Sequence, residues 1–563
     1  MIEEKRMGWD GFATVRWGAL LLMLAAATLA AITPVKANLT IFYLRNQDIW
    51  LLLAAALLLA IGTKGLSHRD TPLIANNRML IAISVTAAAV ALVGHHVILL
   101  GYNLSRDEQM ADFDASIFLS GQLFVTLPEF WRDHSDALNT TFMQPATHRQ
   151  AWVSSYLPLN AAFRAMFEML GAAELAGPSF IALSAVALIG CVRRIWPNDR
   201  ELPIVALLLL TGSGQVLFAG MTAYAMPAHL AMNLCWLWLF LHRSWRTDVG
   251  ALLIGFIAVG LHQSHAHPLF AAPILFMLLL ERQWRRAALY FLGYCLIGAF
   301  WTLWPHWIAA HLAAADGGVP YGDMYQIAMR QMEDRWSKMA ANLFRFIAWQ
   351  HLLLLPFAIV GFWSARRNRL ALGLTGGIVL TLAIRVAILP YQGHGFGYRY
   401  LHGLIGNFIL LALFGWKALV PLQPQWRSLF LRMTVAGWLL ILPLQAWMAH
   451  RFYAPFAQVS SRIDTLDADY AVIGVFDAPY SADLVINSAF LTNRPLRLLR
   501  HKIPPHRQNQ ICAGGARIAL VRPSMLKPIG DRLHQSDNPK NDRELDELAV
   551  SLRAAGCRIT FAA

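Results

Sequence analysis

The stretch Leu104–Leu123, LSRDEQMADFDASIFLSGQL, sets four carboxylates, Asp107, Glu108, Asp112 and Asp114, directly after a hydrophobic run. A carboxylate beside a cation, here Arg106, stays ionised at a membrane surface and can still meet a hydroxyl held in a dry groove, which is what a general base requires. Its counterpart lies late in the chain, in LAIRVAILPYQGHGFGYRYLHG, residues 382–403. There Arg385 falls inside an apolar segment near its end, and Arg399 follows the interleaved glycines Gly393, Gly395 and Gly397. A guanidinium inside a bilayer costs about 2 to 3 kcal/mol unless an anion pairs with it. Arg385 and Arg399, with His394 and Tyr398 in the same turn, therefore suit a phosphate leaving group. Plainer roles stand beside these: Asp107 and Asp112 solvating an interfacial helix, Asp107 capping that helix, Arg385 snorkelling to headgroups, and a glycine turn that merely carries one charge.

A second constellation is LHQSHAHPLF, with His262, His265 and His267. His262 and His265, three apart, share a helical face at metal-ligand spacing, and a distant Glu108 would complete a site for a divalent metal ion. Hydrogen bonding to a phosphate or sugar, or packing at the interface, are the other roles open to them. Glu108 alternatively orients the base. His95 and His96, inside an apolar run, read as packing residues. No P-loop, repeat or low-complexity tract occurs, and no cofactor other than that metal is called for.

The elements that must hold these groups follow from composition. Of 563 residues 57% are hydrophobic and only 14% charged, too little polar surface for a soluble chain of this length. About thirteen runs are candidates for crossing a bilayer: 17–33, 49–62, 79–101, 178–192, 202–219, 226–241, 249–264, 268–280, 287–304, 343–362, 370–389, 400–420 and 430–447. The net charge of +14 is spread in short basic clusters between them, which marks orientation rather than nucleic-acid binding. With Lys5, Arg6 and Arg16 inside, every second loop is basic: Lys64, Arg69 and Arg78; Arg193, Arg194 and Arg200; Arg243 and Arg246; Arg282, Arg285 and Arg286; Arg366, Arg367 and Arg369; Lys417, Arg427 and Arg432. The first run is read as a retained anchor, with cleavage at Ala37 the alternative. Residues 102–177, 305–342, 390–399 and everything after about 450 then lie outside. In the outer loop Met110, Phe113, Ile117 and Phe124 recur at helical spacing, while Asp107 and Asp114, seven apart, share another face. This predicts a helix in the membrane interface, joined by a second at Pro158–Leu170 and a third at Met332–Leu343 with Trp336 and Met339 in register.

A span ending in a loop that opens with Asp107-Glu108, runs as an amphipathic helix to Ser120-Gly121 and reaches Pro158-Leu159 before the next span resembles the GT-C glycosyltransferases, in the lineage of protein O-mannosyltransferases and lipid A aminoarabinose transferases. Two features depart from that pattern. Three spans precede the Asp-Glu loop where the family usually has one, and Leu157 stands where relatives commonly have a lysine. The resemblance implies a polytopic α-helical GT-C fold with interfacial helices and a small α/β domain outside. It implies transfer of a sugar from a polyprenyl-phosphate donor to an acceptor hydroxyl, with Asp107 as base and Arg399 on the lipid-linked phosphate.

After residue 450 the strand-like runs YAVIGVF, RIALVRP and CRITFAA and the helix NDRELDELAVSLRAAG, with Asn541 and Glu544 as a capping box, mark the α/β domain. Cys512 and Cys557, its only cysteines, are expected to form a disulfide in an oxidising compartment. The basic run 493–507 is either a contact for anionic lipid or a phosphorylated acceptor, or a solvated loop. The expectation is thus a transmembrane module over 1–449 and a periplasmic domain over 450–563, in the inner membrane of a bacterium with the N-terminus cytoplasmic. Direct in-line attack predicts inversion at the sugar. Its partners would be the lipid-linked donor, a lipid, glycan or protein acceptor and membrane lipids, without nucleic acid. The rivals are a polyprenyl-diphosphate glycan polymerase or ligase, and a lipid or ion transporter in which Arg385 and the histidines line a pathway.

Overall fold

A computed structural model describes residues 10–34, 38–139, 142–144, 149–312, 332–474, 479–503, 505–535 and 538–563. Lys5, Arg6, Ala37 and the centre of the outer segment, 313–331, lie outside the described residues.

Eight helices among the described residues are long and apolar enough to cross a membrane: Gly11–Ile32, Leu39–Gly62, Asn77–Val97, Ala173–Ile195, Trp284–Leu312, Arg369–Ile388, Arg399–Leu419 and Gln425–Asp464. Leu202–Thr211, Met226–Leu241, Ala266–Leu280 and Leu354–Ser364 are shorter apolar helices, and the run at 249–264 forms Trp245–Val259. The chain is an integral membrane protein, and each of the thirteen runs contributes a helix.

Boundaries differ from expectation where polar side chains interrupt the apolar period. The run 202–219 breaks at Gly212, after which Ser213 caps a short helix, Gly214–Ala219, through the Val216 N–H. The run 343–362 is divided between the amphipathic helix Arg335–Ala348 and Leu354–Ser364, and the first of them carries buried polar contacts, Asn342 to the Pro390 carbonyl and Arg345 to Asp48. In the first of these helices Met339 is buried while Trp336 is 69% exposed, so the two do not share a face as expected. Leu354–Ser364 packs on Ile405–Leu419 with their backbones in contact: a Cβ on Gly361 would sit 1.8 Å from the Leu411 carbonyl oxygen, as small residues permit between spans.

The basic loops converge at one end of the bundle. Arg427 pairs with Glu201 at 2.7 Å, Lys417 with Asp199 at 3.0 Å, and Glu281 with both Arg243 and Arg369. Ser67 meets Ser428, and Arg193 donates to Asn77. The described residues of 102–177, with 260–265 and 390–399, gather at the other end.

There the acidic helix, Arg106–Leu119, is not an exposed interfacial helix. Met110, Phe113 and Ile117 enter one apolar cluster with Trp152 and with the C-terminal residues Val472, Leu498 and Leu520. The opposite flank meets Leu159–Glu168 through Ala115, Ala161 and Ala165, with Asp112 and Arg164 paired at 2.5 Å.

The helix Gln425–Asp464 runs past residue 450 before strand structure begins. Four parallel strands follow in the order Leu496–Leu499, Tyr470–Ile473, Arg517–Val521, Arg558–Ala562. The first of them lies inside the run read as a basic loop or lipid contact. Its residues are all buried, and Arg497 bonds to Ser460, the Leu484 carbonyl and Asp464 instead of facing lipid. Asn538, not Asn541, caps the last helix, Pro539–Ala554, and Glu544 pairs with Arg500 at 2.6 Å. Cys512 and Cys557 are joined in a disulfide, with Cα atoms 4.7 Å apart.

Candidate active site

Ser105 starts the acidic helix. Its hydroxyl accepts from the Glu108 N–H at 3.3 Å and its own N–H donates to Glu108 Oε2 at 2.9 Å, a reciprocal cap that fixes the first turn. Glu108 is therefore committed to helix initiation, and its buried Oε1 has no hydrogen-bond partner. Burial, against the cap's hydrogen bonds, pushes its carboxyl up to about 7. The Arg106 side chain, expected beside Asp107, turns away to Asn139, the carbonyls of Ala482 and Val485, and Asp483.

With the cap filled by its neighbours, Asp107 points into the protein. Arg399 Nη1 donates to Asp107 Oδ2 at 2.5 Å, and the Tyr156 hydroxyl donates to Oδ1. Both partners of the ion pair are largely buried, their side chains 8% and 13% exposed. Burial alone would raise the Asp107 carboxyl, but the Arg399 guanidinium and the Tyr156 hydrogen bond hold it below the usual range. Burial and the adjacent carboxylate keep the Tyr156 phenol protonated as a donor.

Tyr156 is itself held by the second carboxylate of the same helix face. Asp114 accepts from the Ser154 N–H at 3.0 Å and from its hydroxyl at 2.5 Å, and the Ser154 hydroxyl accepts from the Tyr156 N–H at 3.2 Å. Asp107 and Asp114, two turns apart, thus grip the two ends of one short segment. Burial raises the Asp114 carboxyl to about 7. From the other side the His262 ring stacks on Tyr156, centroids 4.1 Å apart, and the carbonyls of His262 and Gly260 accept from Leu157 and Leu159.

The glycine turn presents Arg399. Gln392 accepts from the Arg399 N–H and donates to the Gly397 carbonyl, each at 2.9 Å, while Arg399 Nη2 donates to the Gln392 carbonyl. The Arg399 side chain crosses Gly395, where φ is +131° and a Cβ would meet Arg399 Cδ at 2.4 Å, so only glycine allows this path. The guanidinium lies 4.8 Å from the Tyr224 ring. Arg385 stacks on Tyr400 at 3.7 Å and donates to Gln263 Oε1 at 3.2 Å. Nε of Arg385 and Nε of Arg399 are both buried without a hydrogen-bond partner. Unused donors on buried cations favour an anionic ligand.

Asp107, Arg399, Arg385 and His262 are therefore brought together, the last through Tyr156. His394 and Tyr398 are not. His394 faces Tyr43 at 2.7 Å and Asp483 at 3.7 Å, and Tyr398 is buried with its hydroxyl on Met339 Sδ. Tyr400, two positions on, is the tyrosine on which Arg385 stacks. The histidines diverge: His267 bonds to Asn233 and Tyr294, both at 2.7 Å. Among the described residues no group of three His, Cys, Asp or Glu side chains is placed to hold a metal ion. Tyr156, Gln263 and Gln392 also belong to this site, though no motif of the sequence singles them out. The last two stand beside His262 and inside the glycine turn, where a lone amide next to a conformationally special backbone is the signal available.

No protein-family model and no curated protein matches the chain. Among solved structures it is similar to ArnT from Cupriavidus metallidurans. The crystal structure bound to undecaprenyl phosphate is 13% identical, with 83% of this chain and 89% of that chain covered and a TM-score of 0.49. The apo crystal structure is 14% identical, covering 82% and 90%, with a TM-score of 0.47.

Proposed function

We propose that this chain is a membrane glycosyltransferase of the GT-C type that moves a sugar from a polyprenyl-phosphate donor to an acceptor hydroxyl outside the membrane. The observation that carries this is the buried Asp107–Arg399 pair, flanked by a second buried arginine with an unused donor, at the end of the bundle opposite the basic loops. A carboxylate and two guanidiniums in one enclosed place supply a base for an incoming hydroxyl and positive charge for an outgoing phosphate.

In the resting state Arg399 neutralises Asp107. A phosphate bound to Arg399 and Arg385 competes for that guanidinium, and Asp107 then loses the charge that depresses its pKa and becomes a stronger base. The acceptor oxygen attacks the anomeric carbon, its proton passes to Asp107, and the carbon–oxygen bond to phosphate breaks with the electron pair leaving on the polyprenyl phosphate. Direct in-line displacement inverts the anomeric centre. Tyr156 keeps Asp107 oriented, and Asp114 keeps Tyr156 in place. The transmembrane part over 1–449 would provide this site and the α/β part over 450–563 would stand on the periplasmic side of a bacterial inner membrane, with the N-terminus cytoplasmic.

Asp107→Asn preserves shape and removes the base. Consumption of a labelled polyprenyl-phosphate sugar by native membranes should fall by about 100-fold or more. Unchanged turnover in a folded variant would exclude Asp107 as the base.

A further inference from the structure

A groove of about 530 Å³ lies far from the acidic helix, at the end of the bundle that carries the basic loops. The helices Asn77–Val97, Ala173–Ile195 and Met226–Leu241 form its walls. Ile81, Val85, Val186 and Ile189 supply apolar surface, and Val85 and Val186 are more than half exposed. The Trp238 ring lies flat against Gly190, where a Cβ would approach within 2.5 Å, so a wide aromatic floor stands in place of a second side chain.

The mouth is polar and cationic. Arg193 donates to Asn77 Oδ1 at 2.6 Å, and Arg194 donates to the Leu241 carbonyl at 3.2 Å. Both anchors are neutral. Among the described residues no acidic side chain lines the groove, and the acids of the adjoining loop, Asp199 and Glu201, are engaged by Lys417 and Arg427. Two guanidinium charges thus stand at the rim without a counter-charge among the described residues. From Ala182 to Arg193 the wall helix rises about 16 Å, close to the half-thickness of about 15 Å of a bilayer's hydrocarbon core.

We infer that this groove binds one anionic phospholipid of the leaflet on the basic side, its phosphate on Arg193 and Arg194 and one acyl chain along Val186 and Val85 against Trp238. A surface merely exposed to bulk lipid would need neither the pair of cations nor an apolar groove of one leaflet's depth with an aromatic floor. Headgroup charge gives the specificity, and the groove gives one acyl chain a place to lie.

The test is native mass spectrometry of the full chain released from mixed phosphatidylglycerol and phosphatidylcholine bilayers. The wild type should retain one phosphatidylglycerol in preference to phosphatidylcholine. Arg193→Gln combined with Arg194→Gln should weaken that retention about thirtyfold. Val186→Trp, which fills the groove and leaves the charges in place, should also abolish it, and thermal unfolding checks that each variant is folded. Equal retention of the two lipids by the wild type, or undiminished phosphatidylglycerol on the double variant, overturns the inference. Loss in the arginine variant with full retention in Val186→Trp does so too, since it would make the contact one of surface charge alone.

Discussion

Asp107 and Arg399, 292 residues apart in the chain, meet at 2.5 Å in the protein interior. One comes from the first turn of a capped helix and the other from a glycine-rich turn, so the contact ties the first outer loop to the start of a late span. A buried pair of this kind is a weak source of net stability, yet each member is costly to leave alone.

That asymmetry gives a measurable coupling. Arg399→Gln strands the Asp107 carboxylate and should lower unfolding free energy by about 3 to 5 kcal/mol. Combining it with Asp107→Asn should recover most of the loss, as read by chemical unfolding in detergent. Additive effects of the two substitutions would mean that the side chains are not coupled.

Glu108 and Asp114 should make stability fall as pH rises. Both have folded-state pKa values raised to about 7 from 4.5 and 3.8. Between the ordinary carboxyl range and about 7 the folded state holds more protons than the unfolded chain, so their contribution is fully present below the unfolded pKa and is lost as pH rises through the folded one. The unfolding midpoint should therefore decline between pH 5 and pH 8 by more in the wild type than in a Glu108→Gln, Asp114→Asn double variant, which keeps the side-chain shape and one acceptor oxygen at each position without the titration. These pH values bracket the shifted range of about 7. Identical slopes would place neither carboxyl in a desolvated site.

Sidedness admits a direct check. Glu129, exposed in the outer loop, and Arg69, exposed among the basic loops, fall at opposite ends of the bundle. In intact cells a membrane-impermeant maleimide should label Glu129→Cys and spare Arg69→Cys until the membrane is opened. The reverse pattern would put Asp107 on the cytoplasmic side and contradict transfer on the outer face of the membrane.

Much of this site was legible in the chain. The seven-residue interval between Asp107 and Asp114 placed them on one face, and both do hold the segment 154–156. The glycine spacing around Arg399 marked a turn that only glycine permits, and Arg385 stood out as a charge in an apolar run. His267 and Tyr398 stand apart from the others for a common reason: proximity in sequence does not fix rotation, and both turn into the core where they find neutral partners. The acidic helix read as interfacial because its apolar stripe looked like a lipid face. A soluble-type sheet from the far end of the chain covers that stripe, and no local period reports such a partner. The strand Leu496–Leu499 was hidden by its own arginine, which is satisfied by a helix more than thirty residues upstream.

The exchange of Arg399 from Asp107 to phosphate is best tested by a structure of the protein with bound polyprenyl phosphate. The phosphate should lie within about 3 Å of Arg399, with Arg385 nearby and the Asp107 carboxylate free of the guanidinium. A phosphate bound elsewhere, with the Asp107–Arg399 pair intact, would contradict it.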